Sequence, residues 1–465
     1  MENAYQGKND FTKGSMSRTI LGMAIPMTLA QLVSVLYNVV DRMYIGHIPG
    51  VGSMALTGLG LCMPVIAIIT AFTSLVSKGG APLCSIERGR GNTEEAERIM
   101  ANCLTMLLVF AAVLTVGFLF FAKPILYLFG ASDETYPYAA AYSDIYILGT
   151  VFAMVSTGMN AFINSQGFAR TGMLTVLFGA VLNIILDPVF IFVFDMGIRG
   201  AAIATVISQA GASIWALGFL FSKRPPLRFR LSHMLPSARR IGKICALGVT
   251  GFMMSATNGL VQILCNKQLQ LYGGDLYVGV MTVINSVREV SFMIVDGMVS
   301  GAQPVLGFNY GARVYTRVRA GIRFMTRYCL CYTALMWTFL MLLPRLPILI
   351  FNNEPALVEA AVPALRIYFS MLVVMSLQMI GQSTFVALGR ARSAIFFSTL
   401  RKVIIVVPLV IFLPRIAGLG VTGVFLSEPI SDVISATACY LTMYLTVYRP
   451  LGAAPDGEPL KQSAR

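Results

Sequence analysis

The stretch IPMTLAQLVSVLYNVVDRMYIG, residues 25–46, carries only one acid and one base, Asp41 and Arg42, in an otherwise uncharged and mostly apolar run. A helix of about 20 residues crosses the hydrocarbon core of a bilayer, so this run is long enough to span a membrane. Similar runs recur along the whole chain of 465 residues, which is 56% hydrophobic and only 12% charged. A soluble protein of this length would carry far more charge. The composition therefore predicts an all-α polytopic membrane protein.

The apolar runs predict twelve transmembrane helices. The predicted spans are residues 17–45, 53–80, 99–122, 137–160, 171–194, 199–221, 244–271, 276–303, 324–344, 359–382, 393–413 and 420–447. No small-residue cleavage pattern follows the polar segment before the first span, which favours a retained helix over a signal peptide. The two histidines and eight scattered cysteines lack metal-ligand spacing, which argues against a metal enzyme and favours free thiols.

Basic residues are distributed unevenly between the two sides of the predicted membrane. The segments that would lie inside hold most of the Lys and Arg, including seven in residues 223–243. The segments that would lie outside hold only Lys123, Arg199, Lys267, Arg345 and Arg415. This positive-inside pattern predicts a multi-pass protein of the cell (inner) membrane with both termini in the cytoplasm. The net charge of +14 therefore reflects membrane topology, and we expect no nucleic-acid partner.

The chain contains an internal repeat. Glycines and prolines recur at an offset of 222 or 223 residues, in the pairs Pro82 and Pro304, Gly89 and Gly311, Gly167 and Gly389, Gly197 and Gly420, and Gly200 and Gly423. Each repeat holds six spans, an even number, so both repeats enter the membrane from the same side. Parallel repeats of this kind typically bind substrate between the halves and expose it alternately to each face.

A proline-containing basic segment lies between the repeats, at residues 222–240. Proline interrupts helices, so this segment is interpreted as a linker. We therefore predict an N-terminal six-helix lobe at 1–222, a cytoplasmic basic linker at 223–240, a C-terminal six-helix lobe at 241–450 and a cytoplasmic tail at 451–465.

The first span carries a polar stripe. Gln31, Ser34, Asn38 and Asp41 are spaced by three or four residues, with Tyr37 one turn from Asp41. On insertion scales, a central acid facing lipid would cost about 2.5–3.5 kcal/mol, so the stripe is expected to face protein or water. Pro26 lies in the same span, where its missing N–H predicts a bend.

The fifth span carries a second acid. Asn183 and Asp187 lie one helical turn apart, and Thr205 in the sixth span supplies a hydroxyl. Two acids brought together would share a proton or chelate a cation, and amide and hydroxyl oxygens would complete a site for a hard ion. These residues predict a cation-coupled site in the first half, with no bound cofactor other than the coupling proton or sodium ion.

The second half lacks the two carboxylates. Asn258 and Gln262 continue a polar stripe in the seventh span, but Cys265 and Leu409 stand where Asp41 and Asp187 would be. We therefore expect the ion-coupling site to lie in the first half only. The roles of Asp296, Glu428 and Asp432 stay open, and Arg366, Arg401 and Lys402 are expected near helix ends, with their charges extended to the interface. The candidates for the substrate cavity or its gate are Pro26, Gln31, Ser34, Asn38, Asn160, Asn258, Gln262 and Glu289.

These motifs resemble the multidrug and toxic compound extrusion (MATE) family, bacterial branch. The resemblance covers essentially the whole chain and is carried by residues 25–46, VLNIILDP, GIRGAAIAT and QPVLGFNYGAR. It implies a two-lobed, V-shaped fold and an antiporter that exports cationic amphipathic drugs in exchange for protons or sodium ions. By matching position, Asp41 and Asp187 would bind the coupling cation, with Asn183 and Thr205 as oxygen donors and Tyr37 close by; sodium would be held by Asp41, Asn183 and Asp187.

This sequence departs from family members with acidic ligands in the seventh and tenth helices. The seventh span has no acid, and the tenth offers only Gln378 and Gln382. This departure argues against a sodium site in the second lobe.

The alternative function is a lipid-linked oligosaccharide flippase of the same superfamily. Its pyrophosphate cargo would require arginines facing the cavity, for which Arg42, Arg288 and Arg401 are available, whereas the acidic stripe favours cationic drugs. An enzyme is not expected because no nucleophile–base or metal constellation is recognisable, and a channel would need no alternating-access repeat. We expect a monomer in the bilayer, and the sequence leaves the choice between sodium and proton open.

Overall fold

The computed structural model describes residues 10–351, 353–416 and 418–459, and these contain helices and connecting turns but no strand. The predicted all-α fold class is therefore confirmed. Eight of the helices are long and apolar enough to cross a membrane, and three bent helix pairs pass the same test as pairs. One of the eight, Ala238–Gly311, has 74 residues and is broken at Gly274, so it supplies two spans. The described residues thus contain the twelve predicted spans.

The first six spans are labelled in chain order. They are α1 (Met16–Gly46), α2 (Gly52–Gly89), α3 (Thr93–Leu128), α4 (Tyr136–Leu148 with Thr150–Ser165), α5 (Ala169–Pro188 with the π-helical turn Val189–Val193) and α6 (Gly197–Phe221). A short 3₁₀ turn, Leu231–Met234, lies in the connection to the second half.

The last six spans follow the same order. They are α7 and α8 (the two arms of Ala238–Gly311), α9 (Tyr315–Leu342 with Arg345–Phe351), α10 (Pro355–Tyr368 with Leu372–Ala387), α11 (Ala391–Thr399, π-helical Leu400–Val406, Val407–Phe412 and the 3₁₀ turn Leu413–Arg415) and α12 (Gly420–Met443 with the turns Tyr444–Tyr448 and Arg449–Ala453).

The junction between α7 and α8 depends on one glycine. Gly274 has a φ of 69° and a ψ of −167°, a conformation that a residue with a Cβ atom rarely adopts. An unbroken helix of 74 residues would be roughly 110 Å long at 1.5 Å per residue, far longer than a bilayer. Gly274 therefore separates two spans, α7 and α8, although helical structure continues on both sides of it.

Two bends occur at equivalent places in the two repeats. The two parts of α4 meet at Gly149 and are bent by 56°, and the two parts of α10 meet at 369–371 and are bent by 52°. Residues 149 and 371 differ by 222, the offset of the sequence repeat. The internal duplication thus extends to a shared deformation of the fourth helix of each half.

The chain forms two compact units. Of the described residues, one unit comprises residues 10 and 25–252, and the other comprises residues 11–24, 253–351, 353–416 and 418–459. The division cuts α1 between Ala24 and Ile25, one residue before Pro26. The predicted lobe and linker boundaries stay a prediction, and the predicted tail lies within the described residues only as far as residue 459.

Apolar side chains occupy both the interior and the outside of the helices. In the first unit, Ile147, Met154 and Phe162 are fully buried among the helices. On the outer faces, Phe120 of α3 remains 79% exposed and Leu335 of α9 remains 72% exposed. Water would disfavour this much exposed apolar surface, whereas lipid tails accept it, as expected of a membrane protein.

The connection between α6 and α7 is held on the first unit by α3. The side chain of Asn102, which is fully buried, donates to the carbonyls of His233 (2.9 Å) and Leu235 (3.2 Å) and accepts from the N–H of Ser237 (3.0 Å). Glu97 accepts from the N–H of Arg228 at 2.8 Å. These bonds satisfy backbone groups that have no helix to pair with, so the segment is ordered despite its prolines.

In the second unit, the QPVLGFNYGAR motif and the residues just after it form hydrogen bonds with segments near both ends of the described chain. Asn309 donates to the carbonyl of Phe11 (3.1 Å), and Arg317, shortly after the motif, donates to the carbonyls of Phe11 (2.9 Å) and Gly14 (2.8 Å). On the C-terminal side, Thr316 donates its N–H to Asp456 at 3.0 Å. The motif and the start of α9 therefore bind the segments at both ends of the described chain.

Candidate functional site

The candidate site begins with the α5 residues Asn183 and Asp187. They lie one turn apart, and the Asn183 Nδ2 donates to Asp187 Oδ1 at 3.0 Å and approaches Thr205 Oγ1 on α6 at 3.4 Å. Asp187 is fully buried, and Asn183 is 2% exposed. The structure therefore brings together the three polar residues that the sequence analysis selected from the fifth and sixth spans.

Asp41, near the C-terminal end of α1, completes the group. Its side chain is 8% exposed, and its carboxyl group lies within hydrogen-bonding range of that of Asp187. Two carboxylates contain only acceptor atoms and repel each other, so this approach needs a shared proton or a cation between them.

Three oxygen atoms at the site lack a hydrogen-bond partner among the described residues. They are Oδ1 of Asp41, Oδ1 of Asn183 and Oδ2 of Asp187, and each is buried. Buried polar atoms are normally satisfied, and hard cations prefer carboxylate, amide and hydroxyl oxygens. The donor set therefore fits a proton or a small hard cation.

Aromatic and amide groups surround the acids. Tyr37 of α1 interacts electrostatically with Asp41 and Asp187, and the Tyr142 hydroxyl of α4 is within hydrogen-bonding range of Thr205. The rings of Tyr142 and Tyr146 stack with centroids 6.0 Å apart. Sequence reasoning identified Tyr37 but missed the α4 tyrosines, although their spacing of four residues places them on one helical face.

A family model described as MatE matches two segments of the chain, residues 26–189 and 246–412. The two segments together cover more than half of the sequence, and each lies within one of the two repeats. The chain belongs to the MatE family. Members of this family are transporters, so the protein is a multi-pass membrane transporter and not an enzyme.

Relatives of this MatE chain include two proteins named multidrug export protein MepA. The one from Staphylococcus saprophyticus is 26% identical over 441 residues, which cover 94% of this chain and 95% of the relative. The one from Staphylococcus haemolyticus is 25% identical over 437 residues, which cover 94% of each chain.

Solved MATE structures share the fold of this chain. A MATE transporter in the bent conformation aligns with a TM-score of 0.89 and 22% identity, covering 96% of this chain and 98% of the other. An outward-facing multidrug resistance MATE transporter of the MOP superfamily aligns with a TM-score of 0.88 and 22% identity, covering 96% and 99%. The similarity extends over nearly the whole MatE chain.

Other polar residues of the α1 stripe make hydrogen bonds within their own helix. Ser34 donates to the Ala30 carbonyl (3.0 Å), and Asn38, which is exposed, donates to the Ser34 carbonyl (2.8 Å). Gln31 is half-buried and Pro26 is buried. Of the stripe, the structure of this MatE protein thus shows Asp41 beside Asp187, and Asn38 within hydrogen-bonding range of Tyr37.

The other cavity candidates are Asn160 in the first unit and three residues in the second unit. Asn160 donates to the Gly172 carbonyl at 2.9 Å and accepts from Asn164 at 3.0 Å, so it joins the end of α4 to α5. The candidates in the second unit differ in exposure: Asn258 and Glu289 are exposed, and Gln262 is half-buried.

The expectation that Arg401 and Lys402 extend to the membrane interface is wrong. Arg401 is 7% exposed and Lys402 is 6% exposed, because both pair with acids on α12. Arg366 is exposed, as expected for a residue near a helix end. The missed signal was the presence of two acids one turn apart, Glu428 and Asp432, on the span that follows the two cations in this MatE sequence.

Proposed function

We propose that this transporter is a secondary active multidrug efflux antiporter. It exports cationic amphipathic compounds in exchange for protons or sodium ions by alternating access. The observation that carries the proposal is the pair of buried carboxyl groups, Asp41 and Asp187, with unpartnered oxygens around them. A buried, uncompensated acid pair is unstable, so the site is expected to hold a cation for part of each transport cycle.

Coupling follows from the electrostatics of this acid pair. A cation at the site neutralises Asp41 and Asp187 and lets their carboxyl groups remain close together; its departure restores their repulsion. A conformation that holds the two carboxyl groups close together is therefore favourable with the cation bound and unfavourable without it. If the drug binds the unloaded state more tightly, cation and drug weaken each other's binding by the same factor, as linkage requires.

The substrate class is supported by the relatives and by composition. The similar proteins are named for multidrug export, and the chain contains 26 Met, 29 Phe and 18 Tyr. Flexible thioethers and aromatic faces suit a cavity that accepts varied apolar cations. We infer a monomer in the cell (inner) membrane, with both termini in the cytoplasm.

The pairing of Arg401 argues against the flippase alternative. Its guanidinium group contacts Asp432 at 2.9 Å and Glu428 at 3.1 Å. An arginine neutralised by two acids is a poor ligand for a pyrophosphate, which needs donors free to bind its oxygens. The acids of the first half would in addition repel such a cargo.

Uptake of a fluorescent cation such as ethidium into inside-out vesicles tests the proposal. The inward transport of dye is measured with a proton gradient and, separately, with a sodium gradient. We expect one gradient to drive uptake by the wild type and neither to drive uptake by Asp41→Asn or Asp187→Asn at equal protein levels.

Asp133→Asn is the control, because Asp133 is exposed in a connecting turn and outside the site. If neither gradient drives dye uptake by the wild type, the antiporter proposal fails. If both site variants transport like the wild type, the assignment of the acids fails.

A further inference from the structure

The second unit contains a buried ionic network on α11 and α12. Lys402 Nζ lies 3.0 Å from Glu428 Oε1, and Arg401 Nη2 lies 3.1 Å from Glu428 Oε2 and 2.9 Å from Asp432 Oδ1. All four side chains are at most 9% exposed. Arg288 of α8 interacts electrostatically with both acids. Such a network is expensive to bury unless its charges are compensated.

The acids of this network occupy the places that Thr205 and Gln209 hold in the first half. The glycine pairs at the start of α6 and α12 fix the offset at 223 residues. Adding 223 to Thr205 gives Glu428, and adding it to Gln209 gives Asp432. Ser208 and Ser431 coincide as well, so the register is unambiguous over this turn.

Two further positions agree with this equivalence. Gln209 Nε2 lies 3.5 Å from the Tyr146 hydroxyl, and the residue that matches Tyr146 at an offset of 222, Tyr368, lies near Glu428 and Asp432. Cys265, which stands at the place of Asp41, is buried and lies near Glu428 and Lys402. The network therefore lies where the repeat places the counterpart of the first-half acid site.

The two sites differ in where their positive charge comes from. In α5, the positions that match Arg401 and Lys402 at an offset of 222 are Gly179 and Ala180, which carry no charge. In α11, both cations lie within the π-helical segment Leu400–Val406. A π-helical turn changes the angular spacing of consecutive residues, and here both neighbours reach acids on α12.

We propose that the second half retains a repeat-related cation site, and that the Lys402 ammonium and Arg401 guanidinium groups occupy it permanently in place of an exchangeable cation. Among the described residues, no Lys or Arg side chain forms an ion pair with Asp41 or Asp187, so the first-half acids are left to a mobile ion. The second half is thereby excluded from ion exchange, and its acids bind side chains of their own unit. This inference rests on the network and the repeat, and it holds whichever ion drives export.

Removing the ammonium group should reopen the site to an external cation. The test uses the full chain with Asp41→Asn and Asp187→Asn, so that the first-half site is silent, purified in detergent. The melting temperature is measured in sodium chloride and in choline chloride at equal ionic strength. We expect no sodium-specific shift for this parent. Adding Lys402→Ala should produce a saturable rise of the melting temperature with sodium and not with choline.

The matched control adds Glu428→Gln to Lys402→Ala, which removes the carboxylate as well as the ammonium group. We expect its sodium-specific shift to be lost. If Lys402→Ala is unstable in choline, recovery of folded protein during purification in sodium becomes the readout, and equal failure in both salts contradicts the proposal. A sodium shift in the parent, its absence in Lys402→Ala, or its persistence in the control would also overturn it. None of these outcomes depends on drug transport.

Discussion

The neighbours of Asp187 account for the burial of its carboxyl group. One of its oxygens accepts from Asn183, and the other has no hydrogen-bond partner among the described residues, next to the carboxyl group of Asp41. If this position served only helix packing, an amide side chain would cost less free energy to bury than a carboxylate, because the amide is neutral. This cost supports the proposal that Asp187 is a cation ligand.

Thr205 provides a graded test of the same site. Thr205→Val keeps the shape of the side chain and removes the hydroxyl, which lies 3.4 Å from Asn183 Nδ2. One lost interaction of this kind is worth about 1 kcal/mol, so we expect the apparent affinity for the driving ion to fall roughly five-fold. The measurement is initial uptake against ion concentration in vesicles.

Ser208→Ala is the control for this change. Ser208 lies on the same helix, but its hydroxyl donates to the carbonyl of Ala204 at 2.7 Å, which is a hydrogen bond within α6. An unchanged ion dependence in Thr205→Val, or an equal change in Ser208→Ala, would speak against Thr205 as a ligand.

Residue-level prediction from the sequence succeeded where spacing along one helix decided the outcome. Asn183 and Asp187 share a face because they are four residues apart, and the structure places them in contact. The prediction failed for Arg401, because its partners lie on another helix. A single sequence shows the periodicity of one helix but not which other helix packs against each of its faces. The role of Lys402 was missed for the same reason.

At the scale of elements, close helix contacts depend on glycine. A Cβ atom on Gly248 of α7 would lie 1.7 Å from the Leu75 carbonyl oxygen of α2, and one on Gly79 would lie 2.1 Å from the Ile244 carbonyl oxygen. In lipid, helices associate through such small-residue contacts because no water is released between them. These glycines therefore hold α2 against the start of α7 within the first unit.

Gly248→Ala should destabilise the protein. The added methyl group meets backbone atoms, which cannot rotate away, and overpacking of this kind costs about 1–3 kcal/mol. We expect a lower melting temperature in detergent and a lower yield of folded protein. Gly242→Ala on the same helix is the matched control, because its Cβ would meet nothing within 4 Å. Equal behaviour of the two variants would refute this view of the α2–α7 contact.

The number of spans could be predicted from the sequence, but their interruptions could not. Hydrophobic length marked α4 and α10 as single spans, yet each is bent by more than 50°. The break in α4 lies at Gly149, one of 42 glycines, most of which stand in unbroken helix or ordinary turns. The bends depend on packing against neighbouring helices, and this information is absent from the local sequence.

At the scale of the whole molecule, duplication followed by divergence accounts for the two halves. The repeat preserved the helix count, the bend in the fourth helix of each half and the glycines before the sixth. The charged positions differ: among the described residues, Asp41 and Asp187 of the first unit form no ion pair with Lys or Arg, whereas Glu428 and Asp432 of the second unit are neutralised by Arg401 and Lys402.

The topology of the molecule can be tested with single cysteines. Ser232, in the connection between the halves, and Asp133, between α3 and α4, are both exposed. In a Cys331→Ser background, we expect a membrane-impermeant maleimide to label Ser232→Cys only in inside-out vesicles and Asp133→Cys only in right-side-out vesicles. Labelling from the opposite sides would reverse the orientation inferred from the basic residues.

Competition between drug and cation through Asp41 and Asp187 is the central step of the proposed antiport. Purified wild-type protein is titrated with the dye that the vesicle assay shows to be exported, while release of protons and of radioactive sodium is measured. We expect dye binding to release one of these ions from the wild type and neither from Asp41→Asn or Asp187→Asn, which is the result that competition predicts. Dye binding without release of either ion, or equal release from the variants, would contradict it.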